Sequence, residues 1–298
     1  METQLNRILD GLNPPQRDAV THPVEAEQVG AIVGGPLIIL AGPGTGKTHV
    51  LTRRIAHLIN VQGREPAGVL ALTFTVKAAR ELKERIIGFV GRAKGEGVRC
   101  HTFNGYGQSL ITRFSHYLGL PRKLTMIDEV QTGRLLTRII LEEGLFPYAR
   151  GRGIAALADE VAATIEILTN LGATAEACAD AAVRWAARLE AGAIVSNGLL
   201  SADEATEAER KRLESFRYVV KAMGRYNSER RGLGWVSYAD QVSMPLELLR
   251  ACPPAAAAIR GELKSVIVDE FQDCNPSQIM LLHELMGCLL YTSDAADE

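Results

Sequence analysis

Apolar positions along this chain fall into two rhythms. Short uninterrupted runs at Leu37–Leu40, Val69–Thr73, Val98–Thr102 and Val266–Val268 have the length and composition of strands. After the first run the spacing lengthens to that of a helix, with Val50, Leu51, Ile55, Leu58 and Ile59 on one face. A second helix is predicted from about Lys77 and a third after Thr102. Strand followed by helix, repeated, predicts an α/β domain: a parallel sheet flanked by helices. Between about Ser109 and Val236 the period is mostly helical, with a stripe of Leu213, Phe216, Val220 and Met223. Gly151-Arg152-Gly153 and the stretch from Asn197 to Ala202 read as breaks between those helices. The expected architecture is a sheet domain with a helical subdomain looped out of it, and no internal repeat or low-complexity tract is evident.

The turn between the first strand and its helix reads "AGPGTGKT", Ala41 to Thr48. Gly42, Gly44 and Gly46 let backbone N–H groups wrap around phosphate oxygens, and the helix N-terminus adds a partial positive charge. Lys47 would reach the outer phosphates and the Thr48 hydroxyl would ligate Mg²⁺. A phosphate loop needs a second, acidic strand to hold the metal and polarise the attacking water. Several Asp-Glu pairs compete. Asp128-Glu129 and Asp203-Glu204 suit helix starts, Asp159-Glu160 suits a solvated helix face, and Asp297-Glu298 simply ends the chain. Only Asp269-Glu270 ends a β-branched strand. Because ligands bind at the carboxyl ends of such strands, Lys47 and Asp269 must meet in space despite their separation in sequence.

Bulk composition changes this picture little. The 298 residues are 47% apolar and 23% charged, as in ordinary soluble domains. A formal net charge of −2 leaves any nucleic-acid partner dependent on a local basic surface. The five cysteines are scattered singly, which suggests neither a zinc site nor a disulfide framework. No apolar run approaches the ~18 residues of a membrane span, and the first residues do not read as a signal peptide. A cytoplasmic protein is expected.

Together the motifs resemble the UvrD/Rep/PcrA group of superfamily 1 DNA helicases, over the N-terminal half of those proteins, from about Leu12 to Gly287. "LNPPQRDAV" is similar to the Q motif of that group, in which Gln16 would read adenine. "AGPGTGKT" is similar to motif I, so Ala41, Gly42, Pro43, Gly44, Thr45, Gly46, Lys47 and Thr48 would bind ATP. "VIVDEFQDCNPSQ" resembles motif II, which implies that Asp269 holds Mg²⁺ with Thr48 and that Glu270 orients the attacking water. "TFTVKAARE" and "HTFNGYG" resemble the motifs that follow the next two strands. They imply a single-stranded DNA path over Thr73, Phe74, Thr75, Lys77, Thr102 and Phe103. Phe74, Phe103 and Tyr106 are of a type that stacks on bases, although a strand-end aromatic can equally belong to the core. Val76 stands where the group usually has Asn, and Asn104 where it usually has His. A few extra residues, around Val24 to Gly34, precede the first strand.

The resemblance implies a P-loop, RecA-like domain over residues 1–108 and 237–287, with a helical insert over 109–236. It implies ATP and Mg²⁺ as cofactors, single-stranded DNA and single–double strand junctions as partners, and 3′–5′ movement driven by ATP hydrolysis. A helicase–nuclease subunit of the AddA or RecB kind shares this motor, and a non-catalytic ATP-binding module is the reading from another class. The basic residues from Arg210 to Arg231 alternate with acids, which favours a salt-bridged solvated face over a duplex contact. The tail "CLLYTSDAADE", residues 288–298, reads as the in-frame translation of a transposase sequencing-adapter end. Natural sequence is therefore expected to stop near Gly287, leaving these residues poorly soluble and unable to unwind DNA by themselves.

Overall fold

The structure, a computed structural model, describes residues 2–23, 26–28, 31–33, 37–42, 44–149, 153–192 and 202–286. In chain order the elements begin with helices α1 (Glu2–Leu9) and α2 (Pro14–Thr21), strands β1 (Ala26–Gln28) and β2 (Ala31–Val33), and α3 (Lys47–Asn60). There follow β3 (Val69–Thr73), α4 (Val76–Val90), α5 (Arg92–Gly95), β4 (Arg99–Thr102) and α6 (Phe103–Phe114). Next come β5 (Thr125–Met126), α7 (Glu129–Glu142), α8 (Ile154–Asn170), α9 (Ala175–Glu190), α10 (Ala202–Gly232) and β6 (Trp235–Val236). The last are α11 (Asp240–Ala251), α12 (Pro253–Glu262), β7 (Ser265–Val268) and α13 (Pro276–Met286). The chain forms two compact units, one from residues up to Leu110, Met244–Cys274 and Gln278 onward, the other from Ile111–Ser243 and Asn275–Ser277.

The first unit is built on a three-stranded parallel sheet, ordered β4-β3-β7. Leu70 pairs with Arg99 on one side and with Val266 on the other, so all three strands end at the same edge. The central strand is buried along its whole length, as its unbroken apolar run requires. On one face Leu51, Ile55 and Ile59 of α3 and Leu82 and Ile86 of α4 close over Val69 and Ala71. Around this, Ile8, Leu12 and Val20 tie α1 and α2 to Val50 and Ala56 of α3. Within the extra residues before the phosphate loop, β1 and β2 pair antiparallel, Ala26 opposite Val33.

Leu37–Leu40, expected as the first strand, takes no ladder partner among the described residues. Ile38 is 71% exposed and Leu40 93%. Among the described residues β7 is correspondingly paired on one side only, and Val266, Ile267 and Val268 are half-buried. Strand formation is a property of a pair. Four apolar residues define a strand only where a neighbour accepts their backbone N–H and C=O groups.

The second unit is helical. Leu135, Leu136, Ile139 and Ile140 of α7, Val161 and Ile165 of α8, and Val219, Ala222 and Met223 of α10 form its core. Asp128 caps α7 through a capping box with Gln131, and Asp203 and Glu204 lie in the first turn of α10, where acids oppose the helix dipole. Asp159 and Glu160 are exposed on α8. These three acidic pairs thus occupy the positions their spacing predicts, and Asp297-Glu298 lies outside the described residues. On α10, Lys211 pairs with Glu207, Arg212 with Glu209, and Arg225 with Glu143 and Glu229, the salt-bridged face that alternation of charge anticipates. At the end of that helix Arg230 and Asp240 form a buried ion pair, and the Ser237 N–H and hydroxyl also donate to Asp240. Gly234, at φ +70°, turns the chain into β6, and a Cβ there would stand 2.5 Å from the Lys123 carbonyl oxygen. Only glycine fits that approach.

Candidate functional site

The sequence "GPGTGKT" forms a turn because two of its glycines adopt left-handed backbone, Gly44 at φ +73° and Gly46 at φ +86°. Thr45 closes the turn, its hydroxyl donating to the Gly42 carbonyl at 2.7 Å. Gly46 is the residue before α3, so Lys47 and Thr48 occupy the first turn of that helix. The first N–H groups of a helix have no acceptor within it. Here they open beside a lysine and a hydroxyl, an arrangement suited to phosphate oxygens. Pro43 lies outside the described residues. Ala41, half-buried, and Gly42 lead into the turn.

Gln16 reaches this loop from α2. Asn13 caps that helix, accepting from the Gln16 N–H at 3.0 Å while Gln16 Oε1 accepts from the Asn13 N–H at 3.1 Å. Pro14 and Pro15 fill the first helical positions, where a missing N–H costs nothing. The side chain so fixed donates through Nε2 to the Thr45 carbonyl at 3.0 Å.

At the carboxyl end of β7 the Asp269 N–H still bonds to Leu72 O at 3.0 Å, which continues the ladder. The chain then leaves the sheet through Glu270, at φ 53° and ψ 46°. Left-handed backbone in a residue with a Cβ costs about 1–3 kcal/mol and is met chiefly at functional sites. Lys47 Nζ lies 3.4 Å from Glu270 Oε2, and Gln272 Nε2 donates to the same oxygen at 2.5 Å. The Gln272 hydrogen bond, then the Lys47 charge, hold the Glu270 carboxyl below its ordinary range. Burial, then the neighbouring Glu270 charge, push Asp269 the other way. A half-buried carboxylate beside a second acid favours a nearby cation, and carboxylate and hydroxyl oxygens are hard donors of the type Mg²⁺ takes.

Two neighbours of this site carried no sequence signal of their own. Arg85 of α4 contributes positive charge at both Asp269 and His49. Burial, then the Arg53 and Arg85 charges, lower His49 from its ordinary value. Gln272 belongs to the quoted DEFQD run, but its contact with Glu270 depends on the turn after β7, which the spacing alone does not define.

The other strand ends lie along the same edge of the sheet. Thr75 caps α4, accepting from the Ala78 N–H at 3.0 Å, and Thr102 Oγ1 accepts from the Gly105 N–H at 2.9 Å. Thr73 is buried and donates to Thr75 O at 3.1 Å. Phe103 and Tyr106 are buried, and Phe74 is half-buried with its ring 5.6 Å from that of Phe103. Lys77 and Val76 are exposed. The structure thus brings the phosphate loop, Gln16 and Asp269-Glu270 together. It leaves Thr75 and Lys77 open to solvent and Phe74 and Thr102 half-buried, while Thr73 and Phe103 are buried. Among the described residues no group of three His, Cys, Asp or Glu side chains gathers as a metal cluster, and no helix is long and apolar enough to cross a membrane.

Comparison with known proteins agrees in one direction. ATP-dependent DNA helicase UvrD1 of Mycobacterium leprae is 30% identical over 289 residues, covering 96% of this chain and 32% of that protein. ATP-dependent DNA helicase Rep of Salmonella typhimurium is 30% identical over 277 residues, 93% of this chain and 34% of its own length. ATP-dependent DNA helicase PcrA of Bacillus subtilis is 35% identical over 142 residues, 48% of this chain and 18% of its own length. The chain thus spans about a third of the length of the first two relatives. Residues 22–291 match the UvrD/REP helicase N-terminal domain, and the chain belongs to that family.

Proposed function

We propose that these residues are the ATP-binding portion of a superfamily 1 DNA helicase that moves 3′ to 5′ along one strand and separates the duplex ahead. The observation that carries this reading is the meeting of Lys47 and Glu270 at 3.4 Å, which sets a phosphate-loop lysine against a strand-end carboxylate. Residues 1–108 and 237–287 form the RecA-like ATPase domain, and 109–236 its helical insert.

Bound ATP with Mg²⁺ supplies the γ-phosphoryl group and a divalent charge. Phosphoryl transfer is then mainly positioning and neutralisation. Gln16 reads the base, and Ala41 to Gly46 wrap the phosphates with backbone N–H groups. Lys47 neutralises the outer phosphates, while Thr48 and Asp269 hold the metal. Glu270 accepts a hydrogen bond from the attacking water and orients it. Such a residue has no use in a protein that only binds nucleotide, which favours the enzyme over the non-catalytic binding module. DNA runs over Phe74, Thr75, Lys77 and Thr102, with Thr73 and Phe103 supporting that surface from beneath.

The test is unwinding by the whole protein of duplexes carrying a single-stranded tail. Unwinding of a 3′-tailed duplex, dependent on ATP and Mg²⁺ and abolished in Glu270→Gln, is expected. Equal unwinding of a 5′-tailed duplex, or full activity in Glu270→Gln, contradicts it.

A further inference from the structure

Two adjacent arginines of α3 turn away from the phosphate loop and into the protein. Arg53 donates to the carbonyls of Ile8, at 2.9 Å, and Asp10, where α1 ends. Arg54, 9% exposed, gathers the last carbonyls of α2 on a single Nη1: Ala19 O at 2.9 Å, Val20 O at 3.3 Å and His22 O at 3.0 Å. A helix leaves its final carbonyls without partners, and a cation there satisfies them and opposes the dipole. α2 is therefore held at both ends by the nucleotide-loop segment: by Arg54 at its C-terminus, and through Gln16 and Thr45 O near its N-terminus. It has only eight residues, so a shift at one end is carried to the other.

The state of Gln16 makes this consequential. A primary amide offers two N–H donors and two acceptor lone pairs. One lone pair is used by the Asn13 N–H and one donor by Thr45 O. One donor and one acceptor of the amide remain. Adenine presents the complementary pair, its N6–H₂ donor and N7 acceptor, whereas guanine presents acceptors at both positions. Discrimination then depends on how α2 aims this one amide.

We propose that Arg54 is a positioning residue for base recognition: by fixing the C-terminus of α2 it aims the free half of the Gln16 amide at adenine. This rests on the reading of Gln16 as the residue that meets the base.

The experiment is calorimetric titration of the 298-residue chain with Mg-ATP and with Mg-GTP, in wild type, Gln16→Ala, Arg54→Met and Arg54→Lys. Wild type is expected to prefer ATP. Gln16→Ala and Arg54→Met each weaken ATP by about fivefold, the scale of one hydrogen bond, and leave GTP within about twofold. Arg54→Lys, which keeps the charge with a single point donor, falls between and supplies the comparison if Arg54→Met does not fold. If Gln16→Ala removes the preference while the Arg54 variants keep it, the role of Arg54 is overturned and that of Gln16 stands. A parallel loss of both nucleotides in the Arg54 variants makes Arg54 merely structural and also overturns the proposal. A wild-type chain that binds ATP and GTP alike overturns the reading of Gln16 and this inference with it.

Discussion

Lys47 Nζ lies 3.4 Å from Glu270 Oε2, joining the first residue of α3 to the turn that leaves β7. Both side chains are about a third or more exposed, which keeps the pair weak, at most about 1 kcal/mol. Under the proposed function these two groups serve opposite ends of one event, so entry of a triphosphate must part them. Glu270→Gln is expected to bind Mg-ATP as tightly as wild type or up to about fivefold more tightly, since Lys47 is released. Hydrolysis by the whole protein should fall by about 10²–10⁴-fold, the usual worth of a positioned base. Titration and phosphate release measure the two effects separately. Weakened binding in Glu270→Gln would contradict the account of the pair.

Gln272 Nε2 donates to the carboxylate oxygen that Lys47 approaches, at 2.5 Å, and under the proposed function it would keep Glu270 in place once the lysine turns to phosphate. Gln272→Leu is therefore expected to lower the hydrolysis rate by about tenfold while nucleotide affinity stays within twofold, since one hydrogen bond to a charged group is lost. A change in affinity alone would place Gln272 in binding and not in water positioning.

Arg230 and Asp240 carry a different weight from the ion pairs elsewhere on α10. Both are buried, and Arg230 also lies 5.0 Å from the centre of the Tyr226 ring. Arg230→Met strands the Asp240 charge and should destabilise the helical unit by about 3–5 kcal/mol. Lys211→Ala or Arg212→Ala, on the exposed face, should cost less than about 1 kcal/mol. Urea denaturation followed by circular dichroism distinguishes them, and equal effects would deny the special role of the buried pair.

His57 sets an acid limit on the sheet unit. Burial, then the nearby Arg54 charge, lower it from its ordinary value of 6.5. The unfolded chain thus takes up a proton at a pH where the folded one does not. Its contribution is complete above pH 6.5 and is lost as pH falls from there toward the depressed value. The melting temperature of wild type should fall more steeply than that of His57→Gln between pH 7 and about 5.5. Parallel slopes for the two proteins would show that His57 does not drive the transition.

Much of the geometry of the candidate site was legible because its determinants are local. Gly44 and Gly46 adopt the left-handed backbone that a phosphate loop needs, and Asp269 stands at the end of a parallel strand. Thr75 was legible as part of a strand-end motif but not as the cap of α4, since capping and ligand binding use the same hydroxyl. Phe103 could not be assigned to surface or core from its neighbours, and packing against Phe74 decided it. Leu37–Leu40 shows the opposite limit: its apolar run specifies a strand only in the presence of a ladder partner. Arg54 and Arg85 were invisible for a third reason. Their partners, the α2 carbonyls and the neighbourhood of Asp269, are distant in sequence and carry no pattern.

Under the proposed function the loop from Ala41 to Thr48 and the acids at the end of β7 form one site for ATP with its metal. Calorimetric titration of the 298-residue chain with ATP, with and without Mg²⁺, tests it directly in wild type, Lys47→Ala and Asp269→Asn. Wild type should bind, Lys47→Ala should abolish that binding, and Asp269→Asn should reduce it to the level seen without Mg²⁺. Binding that survives Lys47→Ala unchanged, or no binding by a folded wild-type chain, would contradict it.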